Sequence, residues 1–231
     1  MNALVSLYAS LAHGSELQLR TAVEACLVPD VDWNVAWPVN QLLSAEAVLT
    51  DWLLPLVQSL PDLERRPYIE IPGDYQGQRW VAGTGYLVGT FSAPLWGIPA
   101  TGRDMYLRYT ELVRFDGDSI AQCYVIPDFL DVMHKAGVYP LRPALGNPGL
   151  ILPPLTLDGM CGQDSDSGYS ASSVQLVMDM LNCLRKYDGV GLESMDLESY
   201  WHSDFLWYGP GGIGTTRGIE GFRTHHQGPF L

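Results

Sequence analysis

Four extended segments separated by three short turns restrict this chain more than any other feature. Residues 68–71, 79–91, 105–115 and 120–126 are rich in aliphatic and aromatic residues and alternate with the period of strands. Between them stand GDYQG, GIPATGR and DGD, each with the glycine or proline that a chain reversal uses. Asp116-Gly117, directly after Phe115, is the clearest hairpin, because Asp-Gly accepts the positive φ angles of a tight turn. That turn makes residues 105–115 and 120–126 antiparallel neighbours.

The preceding residues can cover one face of those strands. MNALVSLYASLAHGS reads as an amphipathic helix, and helical composition continues over residues 15–27 until Pro29. Residues 31–37 read as a short strand ended by Pro38. Ser44 opens another helix, in which Ala45, Leu49, Trp52, Leu53, Leu56 and Leu60 recur at helical spacing. Pro55 falls inside that pattern and predicts a kink or break. A short helix over 128–136, ended by Gly137, follows the last strand. The pattern is that of an α+β fold with a sizeable core, consistent with 47% hydrophobic and only 17% charged residues.

Charge and cysteine usage exclude several functions. A formal charge of −13 offers no basic footprint to nucleic acid or to an anionic membrane. No apolar run reaches the ~18 residues of a membrane span, and no positive segment precedes the apolar N-terminus, so a cytoplasmic protein is expected. Cys26, Cys123, Cys161 and Cys183 are scattered without a CxxC pair, and buried reduced thiols are expected rather than zinc or redox chemistry. His225 and His226, adjacent on a helix, do not readily face one metal ion. Neither a metal nor a cofactor is expected, and no nucleophile elbow with a Ser-His-Asp order is visible.

Residues 139–173 are crowded with Pro, Gly, Asp and Ser and read as a linker. Beyond it, Val174, Val177, Met178, Leu181 and Leu184 recur at helical spacing, and a second helix is expected over 193–201. LWYGPGGIGTTRGIEGFRTHHQGPFL then follows the order of VAWPVNQLLSAEAVLTDWLLPL: strand, proline, loop, helix. Glu46 matches Glu220 and Pro55 matches Pro229, with the second loop two residues longer, which suggests an internal repeat. The glycine-rich loop fits neither GxGxxG nor GxxxxGK and reads as a strand-to-helix connection, with a helix-end anion site as the alternative.

WVAGTGYLVGTFSAPLWGIPATGR at 80–103 and RFDGDSIAQCYVIPDFLDVMHKAG at 114–137 together resemble the SnoaL-like polyketide cyclases, a branch of the nuclear transport factor 2-like cones. WHSDFLWYGPGGIGTTRGIEGFRTHHQGPFL at 201–231 resembles the opening of a second copy. The resemblance implies a cone of helices on a curved antiparallel sheet over 1–138, and an incomplete second domain over 174–231 whose copy would continue past Leu231. It also implies a catalytic acid/base at Asp128. Strand alternation would place Gln122, Tyr124, Ile126 and then Asp128 on the face lining the cone. The competing reading of Asp128 is a helix N-cap, and Asp131 reads as a first-turn charge.

Tyr86 stands where relatives carry a histidine and is either a hydrogen-bond donor or part of the wall. Lys135 replaces a common glutamine, and His134 reads as a surface residue. Arg108 binds an acidic group or, the favoured alternative, pairs with Glu111 or Asp116. Trp37, Trp52, Trp80 and Tyr124 complete the expected substrate-binding set, with Trp33 as further aromatic surface. The implied activity is cofactor-free cyclisation or isomerisation of a hydrophobic, carbonyl-bearing small molecule. The alternatives are a non-catalytic ligand-binding or assembly module and an epoxide-hydrolase-like variant. Homodimerisation through the outer sheet is a further expectation from the fold.

Overall fold

A computed structural model of the chain describes residues 2–12, 15–149, 151 and 167–231. It divides into two compact units. Among the described residues the first comprises 2–139 and the second 140–151 with 167–231.

The first unit begins with α1 (Asn2–Ala9) and α2 (Glu16–Cys26). Ser15 caps α2 in a capping box with Gln18, which satisfies two orphan N–H groups of the first turn. The helix ends at Cys26 and the chain passes directly into β1 (Leu27–Val35). Pro29 therefore lies inside a strand, at the irregular stretch between the paired residues Leu27 and Asp32, where it interrupts no regular ladder. β2 (Gln41–Leu42), which the sequence did not reveal, pairs back on β1 with Asn34 opposite Gln41. The connection between that pair is residues 35–40.

Helix α3 then runs as Ala45–Ala47, a π-helical turn at Val48–Leu53, and Leu54–Ser59. Ser44 caps it by accepting from the Ala47 N–H at 3.1 Å. Pro55 makes no kink that ends the helix. The wider π register precedes it, so the proline sits in the first turn of the following α segment, where a missing N–H is tolerated. The π turn carries Val48, Leu49, Trp52 and Leu53, all buried.

β3 (Glu64–Tyr75), β4 (Gln78–Thr90), β5 (Asp104–Asp116) and β6 (Ser119–Pro127) are the four expected strands, joined as a meander, β3 being much longer than residues 68–71. The six-stranded sheet has the order β2-β1-β6-β5-β4-β3, with β1 parallel to β6 and all other pairs antiparallel. It is therefore mixed rather than purely antiparallel. The α+β class stands. One face of the sheet meets the helices through Trp33, Val81, Leu87, Leu107, Tyr109, Val113, Cys123 and Val125, which join Leu4, Leu7, Leu19, Leu49, Trp52 and Leu56 in one core. α4 (Phe129–Lys135) adds Phe129 and Val132 to that core.

The second unit contains α5 (Ser167–Leu184), two 3-10 turns (Leu192–Met195 and Leu197–Ser199), β7 (Leu206–Tyr208) and β8 (Thr215–Arg217). α5 begins inside the stretch read as linker. The helix expected over 193–201 is broken at Asp196, whose φ of 48° is left-handed. The glycine-rich loop is the tip of a hairpin: β8, a strand the sequence did not reveal, pairs with β7, Tyr208 opposite Thr215, across residues 209–214. That connection equals residues 35–40 in length; the two-residue difference is counted from Pro38 to Glu46 and from Pro210 to Glu220, and Pro210 does not stand at the hairpin position of Pro38. α6 then runs as Gly218–Phe222, a π-helical turn at Arg223–Gln227, and Gly228–Phe230 with Pro229 in its first turn. Met195, Leu197 and Phe222 centre a small core with Trp201, Phe205 and Trp207 around them.

The glycines of the loop serve packing. Asn147 and Thr215 exchange two backbone hydrogen bonds of 2.9 Å, and the Gly146 N–H donates to the Ile213 carbonyl. Gly214 has a φ of 84°, and a Cβ there would lie 2.7 Å from the Gly146 backbone. Only glycine fits both demands.

Candidate functional site

Alternation along β5 places Met105, Leu107, Tyr109, Glu111, Val113 and Phe115 on the helix-covered face. Glu111 is the one carboxylate of that set, and its side chain is wholly buried. Two groups meet it. The Tyr8 hydroxyl, carried in by the apolar stripe of α1, donates to Glu111 Oε2 at 3.0 Å. The Arg65 guanidinium, reaching from β3, pairs with Glu111 Oε1 and with Glu70 at 2.8 Å. Arg65 also lies over the rings of Tyr8 and Tyr109, 4.9 and 5.5 Å from their centres.

Burial governs the protonation of this cluster. It pushes the Glu111 carboxyl above its usual range, while Arg65 and the Tyr8 hydroxyl pull the other way. Burial likewise raises Tyr8 well above an ordinary phenol, and Tyr109 too, with Glu111 adding to both. For Arg65 the loss of water, the largest single cause, would lower the value, but Glu111 together with Tyr109 and Tyr8 outweighs it and the guanidinium stays charged. Cys123 is fully buried beside the cluster, and its thiol is pushed up by the same loss of water. The Tyr109 hydroxyl, the Arg65 Nε and the indole N–H groups of Trp33 and Trp52 are buried without a hydrogen-bond partner. Orphan polar groups at this density in a core call for a reason.

Aromatic rings meet on this core. Trp96, from the loop after β4, stacks on Trp52 with ring centres 5.2 Å apart and planes 5° off parallel. The edge of Phe129 meets Trp96 at 5.2 Å.

Trp33, the further aromatic, lies in the core; the other site residues singled out from the sequence fall elsewhere, with one exception. Cys123, Val125 and Pro127 face the core, so Tyr124 and Ile126 point to the opposite, open face, the inverse of the expected assignment. Tyr86 and Arg108 are cross-strand neighbours on that open face, and Asp128 joins them. Asp128 is almost fully covered, but by structural partners. Its Oδ2 accepts from Arg108 at 2.8 Å, and its Oδ1 accepts from the Asp131 N–H at 3.2 Å, capping α4. Arg108 therefore pairs with neither Glu111 nor Asp116; Glu111 is on the other side of the sheet. Burial raises the Tyr86 hydroxyl, which packs with Tyr68 and Tyr106. Lys135 bonds Asp131 at 2.6 Å, and His134 meets the ring of Tyr139.

Trp80 is half-buried on the open face, its indole N–H covered and without a partner, and Trp37 is 73% exposed. Trp52 is the exception: it lies within the core, in the stacked pair. Tyr8, Arg65 and Glu111 went unrecognised in the sequence, although a lone carboxylate in an apolar period-two set was there to be read.

Among the described residues no group of three or more His, Cys, Asp or Glu side chains is placed to hold a metal ion. Cys26, Cys123 and Cys183 are buried free thiols, and Cys161 lies outside the described residues. No described helix is long and apolar enough to cross a membrane.

No protein-family model matches the chain, and no curated protein matches it. Solved structures do align with it. A protein of Jannaschia sp. CCS1, provisionally assigned as a SnoaL-like polyketide cyclase, is 16% identical, with a TM-score of 0.48 over 62% of this chain and 92% of its own. An NTF2-like protein of Burkholderia thailandensis is 19% identical, with a TM-score of 0.43 over 62% of this chain and 96% of its own. A SnoaL-like polyketide cyclase of Agrobacterium tumefaciens is 15% identical, with a TM-score of 0.45 over 58% and 94%.

Proposed function

We propose that the first unit is a SnoaL-like cone that takes a hydrophobic, carbonyl-bearing small molecule and moves a proton on it without a cofactor. The observation that carries this reading is the Glu111 carboxyl, wholly buried in an apolar core, bonded by the Tyr8 hydroxyl and raised above its usual range by burial. A carboxyl so raised is a stronger base for proton abstraction next to a carbonyl, and a buried phenol suits donation to the oxygen on which charge develops. In this reading Glu111 and Tyr8 handle the proton, Arg65 holds Glu111 in place, and Asp128 fastens α4. An intramolecular aldol-type cyclisation or an isomerisation both begin with that proton transfer.

The test needs no natural substrate. A panel of tetralones and hydroxynaphthyl ketones is incubated with the full chain in D₂O, and loss of the α-proton signal is followed by NMR. The wild type is expected to accelerate exchange for at least one member, and Glu111→Gln to slow it by roughly 10²- to 10⁴-fold with folding retained. Exchange that survives in Glu111→Gln but fails in Asp128→Asn would return the acid/base role to Asp128.

A second reading has its own support. The Arg65–Glu111–Tyr8 cluster is internally bonded, as a structural network would be, and a ligand-binding module without turnover would look the same. Binding of a panel ketone with no exchange in any of them would favour it. The open face of the sheet, with Tyr106, Leu112, Tyr124 and Ile126 exposed, is a fitting surface for a second copy of the chain. Sedimentation of Tyr124→Glu against wild type tests that.

The second unit we read as the opening of a second copy of the same domain. A constant displacement along the chain carries Trp33, Leu42, Glu46 and Pro55 onto Trp207, Thr216, Glu220 and Pro229, through matching hairpin registers and a π-helical turn before each proline.

A further inference from the structure

The aromatic stack on the first unit's core has three features that packing alone does not require. Trp96 is not glycine, yet its φ is 43°, a left-handed backbone that L-residues with bulky side chains avoid. Its indole lies nearly parallel to that of Trp52, and Phe129 meets it edge-on. And the Trp52 indole N–H, in a side chain with no exposed surface, has no hydrogen-bond partner. A core built only for stability would satisfy that donor and relax that backbone.

The loop that delivers Trp96 is fastened on both sides of it. The Ser92 N–H donates to the Ser59 carbonyl at 2.9 Å, and the buried Ser59 hydroxyl donates to the Pro94 carbonyl at 3.0 Å. Leu95 and Ile98 exchange backbone hydrogen bonds across the turn that holds Trp96 and Gly97. Gly97 also has a left-handed φ, of 87°, so the turn has a residue free to take up a change of direction. Trp96 is only half-buried while Trp52 beneath it is wholly buried. Trp96 therefore covers Trp52 with a partly exposed ring, and it does so from a strained backbone.

We propose that Trp96 is a built-in plug that occupies the binding slot for a planar aromatic ligand. The ligand displaces the indole and stacks on Trp52 with the edge of Phe129 against it. The strain at Trp96 weighs against the plugged state by roughly tenfold, which keeps displacement within reach of a small molecule. This inference rests on the small-molecule reading of the first unit, but it concerns how the slot is filled and not what chemistry follows.

The experiment measures affinity and accessibility together on the full chain. The probe is 6-hydroxy-2-acetonaphthone, followed by its fluorescence, against wild type, Trp96→Ala, Trp96→Phe and Trp52→Ala. Removing an internal competitor tightens binding, so Trp96→Ala is expected to bind at least about tenfold more tightly than wild type. Trp96→Phe is expected to lie between them, and Trp52→Ala to bind neither before nor after the plug is removed. Hydrogen exchange of the indole N–H groups is read by NMR in the same proteins without probe. Trp52 is expected to exchange at least about tenfold faster in Trp96→Ala, while Trp33, buried elsewhere in the core, keeps its wild-type rate.

Equal or weaker probe binding by Trp96→Ala overturns the plug and makes Trp96 a wall of the slot or part of the core. So does an unchanged Trp52 exchange rate, and so does equal acceleration of Trp33, which would report general loosening. If Trp96→Ala does not fold, Ser59→Ala removes the tether at Pro94 with the indole intact, and faster Trp52 exchange alone is then the expected result. Failure of Glu111→Gln to alter α-proton exchange would count against the proposed chemistry while leaving these outcomes to decide the plug.

Discussion

Replacing Arg65 with methionine separates the buried cluster into its electrostatic parts. The side chain of Arg65 is 6% exposed and that of Glu111 is fully covered, so the variant leaves a carboxyl in the core without its counter-charge. Breaking one partner of a buried pair costs about 3–5 kcal/mol; methionine retains most of the apolar stem but loses the guanidinium that lies over Tyr8 and Tyr109. For a urea slope of about 2 kcal/mol/M, that is a fall of roughly 2 M in the unfolding midpoint, read by circular dichroism.

The loss should depend on pH. Burial already raises the Glu111 carboxyl above its ordinary value of 4.5, and without Arg65 nothing but Tyr8 opposes that rise. Between 4.5 and the raised value the folded chain holds a proton that the unfolded chain has released, so stability falls as pH rises through that window. The Arg65→Met deficit is therefore largest above the raised value and shrinks as pH falls towards 4.5. Adding Glu111→Gln removes the stranded charge, so the double variant should regain most of the stability and lose the pH dependence. A deficit equal at both ends of that window, or a double variant no more stable than Arg65→Met, would falsify the view that desolvation of Glu111 dominates the cluster.

Three further outcomes follow from the geometry. Asp128→Ala should cost about 1–2 kcal/mol in urea unfolding, because both the α4 cap and the Arg108 pair are lost, whereas Asp128→Asn keeps a cap acceptor and should cost less than half as much; equal costs would rule out the cap. Gly214→Ala should destabilise the second unit by at least about 1–2 kcal/mol, since a Cβ would meet the Gly146 backbone in a left-handed turn, and a neutral result in thermal unfolding would contradict the close approach. His226, stacked on Trp207, is lowered from its ordinary value of 6.5 by burial, so the second unit should lose stability as pH falls through and below 6.5, and His226→Gln should remove that dependence in Trp fluorescence melts.

The fold was legible where local chemistry decides structure alone. Asp116-Gly117 made the hairpin it promised, Ser44 and Ser15 began helices, and the four strands formed between their turn signals. The helix before Pro29 ended as expected, but the local structure around both prolines was legible only in part. Pro29 stands at an irregular point of β1 and Pro55 follows a π turn, and neither a bulge nor a change of helical register leaves a mark on hydrophobic periodicity. β2 and β8 are two and three residues long, too short to alternate, and are strands only because a neighbour pairs with them. The parallel contact of β1 with β6 is likewise a long-range choice that no turn announces.

The site was less legible because alternation gives two faces and does not say which is inside. On β6 one set is Cys123, Val125 and Pro127 and the other is Tyr124 and Ile126, so both are apolar enough for a core. The helices settle it, and they chose the set with the smaller side chains, leaving Tyr124 and Ile126 open. On β5 the question had an answer in the residues. Tyr106, Arg108, Thr110 and Leu112 form a mixed set, while Met105, Leu107, Tyr109, Val113 and Phe115 are apolar around Glu111 alone. A carboxylate in such a set must be wrong about the face or paid for by partners, and here Arg65 and Tyr8 are those partners. Arg65 stands in ERRPY beside Arg66, and only burial distinguishes the two: Arg65 is covered, while Arg66 is 70% exposed and pairs with Glu64 on the surface. The lone acid was readable from one strand, but its partners come from β3 and α1, and only the assembled sheet brings them together.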